Sequence, residues 1–105
     1  MLGELEQIVL LAVLQVGEGA YGVPVHHEIQ GRSGRDLTLG TIYKTLSRME
    51  AKGLVSSHLG APTAERGGKA TRCYVVSAHG KRELQRTFRI LRRMAAGLNV
   101  GLEPT

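Results

Sequence analysis

At 105 residues the chain has the size of one domain, and its 42% hydrophobic content supports a core without disulfide or metal staples. Aromatic content is only 4%, so the core is expected to be aliphatic and a sizeable substrate cleft is not expected. Fourteen Lys and Arg against nine Asp and Glu give a net charge of +5, which points to an anionic partner with nucleic acid first. The lone Cys73 excludes an internal disulfide and suits a reducing compartment. Glu4 and Glu6 stand where a secretory leader would be positive, and the apolar run Ile8 to Leu14 is too short to cross a bilayer. A soluble, cytoplasmic protein is expected.

The charge is unevenly placed. Residues 1 to 30 carry Glu4, Glu6, Glu18 and Glu28 and no Lys or Arg, whereas Arg66 to Arg93 holds nine basic residues and one acid, Glu83. In chain order, Leu5, Ile8, Val9, Ala12, Val13 and Val16 recur at helical spacing, and Leu10, Leu11 and Leu14 fill the other side. The spacing predicts a nearly surrounded helix over 4–16, ended by Gly17 and Gly19. Pro24 suits the first turn of a short second helix running to about Gln30 and closed by Gly31, Ser33 and Gly34. A third helix follows, with Leu39, Ile42, Leu46 and Met49 as its apolar stripe, Thr38 as N-cap and Gly53 just past its end.

Leu54 to Leu59 alternates loosely and Thr71 to Ser77 is rich in β-formers, with the polar, glycine-rich GAPTAERGGKA between them. This predicts a β-hairpin with an extended tip. After Ser77, a good N-cap, Leu84, Phe88, Leu91, Ala95 and Leu98 recur as an a/d-type seam on a last helix of about two heptads. The tail, 100–105, is expected to fray. The fold class is therefore mainly α with a small β-hairpin, in the order of a winged helix-turn-helix. Residues 1–77 are expected to form the winged helix-turn-helix unit and 78–99 a C-terminal helix, whose short seam could contribute to a dimer or equally pack on its own domain.

On the third helix, Thr41, Lys44, Thr45 and Arg48 fall at i, i+3, i+4 and i+7, a set of donors and mixed donor-acceptors suited to phosphates and base edges. A helix of this width fits the major groove. Tyr43 joins them as a candidate, with packing as its other reading; Tyr21 is open in the same way. Downstream, Arg66, Gly67, Gly68 and Lys69 would form a basic tip able to approach the backbone, with Arg72 beside it. A polar helix face alone is most often merely solvated. The basic, glycine-rich hairpin that follows is what favours DNA.

The chain resembles the PadR-like transcriptional regulators, of bacterial type, from about Leu2 to Leu98. The resemblance is carried by LGELEQIVLLAVL at the start, AYG at 20–22, LGTIYKTLSRMEAKGLV at 39–55 and ERGGKATRCYVVSAHGKREL at 65–84. It implies that the helix starting at Leu39 is the recognition helix, that 65–70 is the wing, and that the first and last helices build a homodimer. Leu5, Val9, Leu84, Phe88, Leu91, Ala95 and Leu98 are the candidate dimer residues. It also implies a repressor at promoters, in a family where some members release DNA on binding a small molecule. Such an effector would sit between the dimer helices and the DNA-binding unit. Two departures stand out: Pro24 with His26 and His27 in the second helix, and a last helix ending soon after Leu98, as in a short form of the family.

Other signals are set aside. Gly17 to Gly22 matches GxGxxG, but a helix rather than a strand precedes it. The histidines His26, His27, His58 and His79 lack metal-ligand spacing, and Cys73 reads as a packed thiol. No cofactor, metal or catalytic constellation is expected. The chain is thus expected to be a non-enzymatic, sequence-specific DNA-binding regulator, a repressor acting as a homodimer on a roughly palindromic operator. The alternative is a winged-helix protein-interaction module whose basic face docks an acidic partner.

Overall fold

The computed structural model describes residues 1–60 and 70–102. Three helices, α1 (Glu4–Val16), α2 (Gly22–Ser33) and α3 (Leu39–Ala51), precede two strands, β1 (Val55–Leu59) and β2 (Arg72–Val76), and a last helix, α4 (Ala78–Ala95). The strands pair antiparallel from Val55↔Val76 to Leu59↔Arg72. This is the winged helix-turn-helix order anticipated from the sequence.

Helix α1 begins where the Gly3 amide donates to Glu6 Oε1 at 3.0 Å, and its acids Glu4 and Glu6 lie at the positive end of the helix dipole. It ends at Gly17, whose amide makes the last helical bond to Val13 O and whose positive φ of 72° then turns the chain out of the helix. Val9 and Leu10 are fully buried, but Leu14 is 42% exposed, so the expected surround is incomplete.

Helix α2 differs most from expectation. It starts two residues before Pro24 and runs through Gly31 to Ser33. Pro24 still sits in the first turn, where the missing amide costs nothing. Gly31 does not stop the helix, because the Glu28–Arg32 pair at 2.7 Å spans it and the left-handed cap falls at Gly34 instead. In α3, by contrast, the Thr38 hydroxyl accepts from the Thr41 amide at 3.1 Å, and Gly53 follows the C-terminus with φ 76°.

The core lies where these helices cross, on Val9, Leu10, Val25, Ile42, Leu46 and Met49, and extends to Leu54, Val76 and Leu84 under the hairpin. The α1–α2 turn holds the sheet directly, since the Tyr74 amide donates to Ala20 O at 2.9 Å. Two ion pairs fasten α1 to the helix-turn-helix: Glu4 with Arg35, and Glu6 with Lys52 at 2.8 Å.

Helix α4 is launched by Ser77, whose hydroxyl accepts from the Gly80 amide and donates to Gly53 O at 2.6 Å. The helix ends at Ala95, with Gly97 left-handed behind it, so Leu98 lies just beyond the helix rather than on its last turn. Only the first half is covered. Leu84 and Thr87 are buried, whereas Leu91 and Met94 are 49% and 74% exposed. Among the described residues no helix is long and apolar enough to cross a membrane.

Candidate nucleic-acid interface

Helix α3 turns Ile42, Thr45, Leu46 and Met49 to the core. With four residues inside, the opposite side is set by the 100° step of the helix. Lys44 and Arg48 are exposed there, and neither has an ion pair among the described residues. Thr41 is half-buried. Thr45 is 6% exposed, and its hydroxyl donates back to Thr41 O at 2.8 Å. It flanks Met49 about 40° around the helix, so it falls on the edge of the core side. The sequence-derived set was rotated too far towards that stripe, and the centre of the solvent face is Gly40, Lys44 and Ser47. Counting outward from the middle of the buried stripe, rather than from its first residue, would have found Ser47.

Tyr43 follows its packing reading while keeping part of its ring exposed. It is 37% exposed at the edge of the solvent face, while its ring packs on Gly22 at the start of α2. A Cβ on Gly22 would overlap the ring and hydroxyl of Tyr43, so glycine there permits the close approach of α2 and α3.

Beside α3 stands the hairpin. The Gly60 amide donates to Thr71 O at 2.6 Å, just inside the tip. Arg66, Gly67, Gly68 and Lys69, the expected wing contacts, lie outside the described residues. Arg72 is exposed on β2, and its Nη1 donates to Ser57 Oγ at 3.0 Å; that hydroxyl in turn donates to Glu50 Oε2 at 2.6 Å. This relay from α3 through β1 to β2 fixes the hairpin against the end of the helix, so Arg72 is held beside α3. No residue in the relay was singled out for that role, because the three are adjacent only after the hairpin closes.

The titration of the scaffold follows its contacts. Lys52 donating to Glu6, with help from the Gly3 amide, holds the Glu6 carboxyl below its ordinary range, and burial pushes the Tyr74 hydroxyl up with Glu50 adding to it. Cys73 is a free, buried thiol. An open groove of about 690 Å³ runs between the end of α1 and the hairpin, past Leu14, Tyr21, Cys73 and Val75, and is larger than the low aromatic content suggested. The glycine-rich segment 17–22 is the turn between two helices at its rim. The rings of His26 and His27 lie tilted to one another with centroids 5.8 Å apart, and among the described residues no three of His, Cys, Asp and Glu gather as a metal site.

The candidate dimer residues fall into two groups. Val9 and Leu84 belong to the protomer's own core, at 0% and 4% exposure, and Leu5 is half-buried. Phe88 and Ala95 are half-buried on α4, and Leu91 and Leu98 are exposed.

Known structures share this arrangement. A PadR-like transcriptional regulator of Bacillus cereus superposes with a TM-score of 0.69 at 22% identity, covering 93% of both chains. A PadR family regulator of Eggerthella lenta gives 0.67 at 24% identity, over 90% of this chain and 81% of that one. One from Clostridium difficile gives 0.64 at 25% identity, over 86% of this chain and 93% of that one. No curated protein matches the sequence significantly. The model of the transcriptional regulator PadR-like family matches residues 10–86, well over half of the chain. The chain therefore belongs to the PadR-like family of transcriptional regulators, which are not enzymes.

Proposed function

We propose that the protein is a sequence-specific DNA-binding repressor that works in the cytoplasm as a homodimer on a roughly palindromic operator. The observation that carries this reading is the solvent face of α3, where Lys44 and Arg48 stand exposed and without an ion pair among the described residues, on a helix capped at Thr38 and tied to the hairpin through Glu50 and Ser57. Lys44, Ser47 and Arg48 enter the major groove, and Arg72 with the wing tip holds the flanking backbone. Residues 1–77 act as the DNA-binding unit and 78–99 as the dimerisation helix. The apolar seam on the outer half of α4, with Leu91 and Met94 exposed and Leu98 exposed just beyond the helix, supports a second copy as its cover. Two-fold symmetry then spaces the half-sites one helical turn or a multiple apart.

Fluorescence anisotropy of the protein on its own upstream DNA and on a scrambled duplex, across a salt series, tests the reading. Tighter binding to the upstream DNA by about a thousandfold, with affinity falling steeply as salt rises, is expected. Arg48→Ala should cost on the order of 1–3 kcal/mol on the operator and little on scrambled DNA. Equal, weak binding to both duplexes would reject specific recognition. Sedimentation equilibrium of Met94→Glu checks the dimer, and an unchanged dimer would remove α4 from the interface.

A further inference from the structure

Helix α4 carries Lys81, Arg82, Arg86, Arg89, Arg92 and Arg93 and a single acid, Glu83. Four of these, Arg82, Arg86, Arg89 and Arg93, fall at i, i+4, i+7 and i+11. At 100° per residue they lie within about 60° of one another, over roughly 16 Å of helix. All four are exposed. The stripe lies nearly opposite Leu84, Thr87, Leu91 and Met94, so it stays open to solvent when the apolar seam is covered.

The stripe is costly to the isolated helix, because arginines three and four residues apart repel. Among the described residues Glu83 pairs with Arg86 alone, at 3.9 Å. The remaining acids of the chain are few. Glu4, Glu6 and Glu28 are already paired with Arg35, Lys52 and Arg32, which leaves Glu18, Asp36 and Glu50 without an ion pair among the described residues. Among the described residues a second copy therefore offers three free acids against four arginines, and one of the three, Glu50, already accepts from Ser57, so a polyanion is the better match for the stripe. A straight row of guanidinium forks matches a repeating phosphate backbone, whose charges recur every 3.4 Å or so along a strand.

Helix α4 starts beside the C-terminal end of α3, where Lys52 and His79 line one small groove, and its far half lies outside the protomer's core. Helix α4 packs on β2 and scarcely touches α3, so the stripe is a surface separate from the face of α3 that enters the groove. We propose that this arginine face of α4 grips the phosphate backbone of a second DNA duplex, so that one protein assembly bridges two DNA segments. The inference rests on α3 holding the first duplex, but not on any sequence preference.

The test uses the full chain with random-sequence duplexes, one set labelled with a donor dye and one with an acceptor. The wild type should bring the two together, read as energy transfer. The variant Arg82→Gln/Arg86→Gln/Arg89→Gln/Arg93→Gln, shown by circular dichroism to keep its helix, should still bind one duplex but lose the transfer. Its salt slope should fall by about 0.9 for each phosphate contact removed. Energy transfer that survives in this variant would mean that two α3 faces bridge the duplexes, and would overturn the proposal. So would a wild type that binds one duplex without transfer, including one whose stripe instead captures anionic vesicles. Failure of operator preference is read in a separate assay and leaves this result unaffected.

Discussion

Replacing Gly80 by alanine sets helix propensity against packing at one position. Alanine is better than glycine inside a helix by about 0.8–1.0 kcal/mol, and somewhat less in a first turn. Gly80 is buried where α4 crosses the start of β1. A Cβ there would overlap the Leu54 carbonyl oxygen and stand 2.9 Å from Val76 Cγ1 and 3.2 Å from the Leu54 carbonyl carbon. The oxygen cannot retreat freely, because it accepts the Ser77 amide at 3.0 Å just ahead of the helix. Overpacking of this kind costs about 1–3 kcal/mol. The net effect should be destabilisation of about 1–2 kcal/mol, or a fall in Tm of roughly 4–8 °C per kcal/mol for a domain near this size. Gly31→Ala is the companion, since Gly31 is exposed inside α2 and a Cβ there meets nothing within 4 Å. It should stabilise by about 0.5–1 kcal/mol. Thermal unfolding followed by far-ultraviolet circular dichroism at one fixed protein concentration compares the two. Equal shifts of the same sign would refute the argument, because the close approach of α4 to Leu54 would then carry no energetic weight.

Thr87 is fully buried, and its hydroxyl has no hydrogen-bond partner among the described residues. Thr87→Val keeps the shape and removes the unsatisfied group, so the urea midpoint should rise by an amount equivalent to about 1 kcal/mol. Ser77→Ala removes both the N-cap of α4 and the tie to Gly53 O, and should cost about 1–2 kcal/mol in the same assay, with Ser77→Asp recovering part of it. The lowered Glu6 carboxyl makes a stability term that is present above the ordinary carboxylate range, near 4.5, and is lost as pH falls through its folded value. The pair is partly exposed, so the term is on the order of 0.5 kcal/mol. Glu6→Gln should therefore lower Tm slightly at pH 7, by a margin that shrinks as the solution is made acid; a loss that stays constant with pH would point to packing instead.

Much of this protein is local and was legible in the residues themselves. The spacing of Leu5 to Val16 and of Ile42 to Met49, the caps Thr38 and Ser77, and the glycines at 17, 34 and 53 act on their own neighbourhoods, so pattern alone located α1, α3 and the start of α4. Their order, with the basic segment between two β-rich runs, was enough for the fold class. What depended on distant contacts was not legible. The start of α2 at Gly22 follows from Tyr43 lying against it, and its continuation through Gly31 follows from where the left-handed turn falls. Val9, Leu84 and Thr45 carry the same apolar or polar character as their exposed counterparts, and only the crossing of the helices put them inside. The same holds for the Glu50–Ser57–Arg72 relay, whose members are brought together by strand register. Sequence by itself determined which segments are helix and strand and which faces are apolar, because those depend on neighbours three or four residues away. Tertiary structure decided which side chains remain free to meet DNA or a second copy, because burial is set by what packs across the fold.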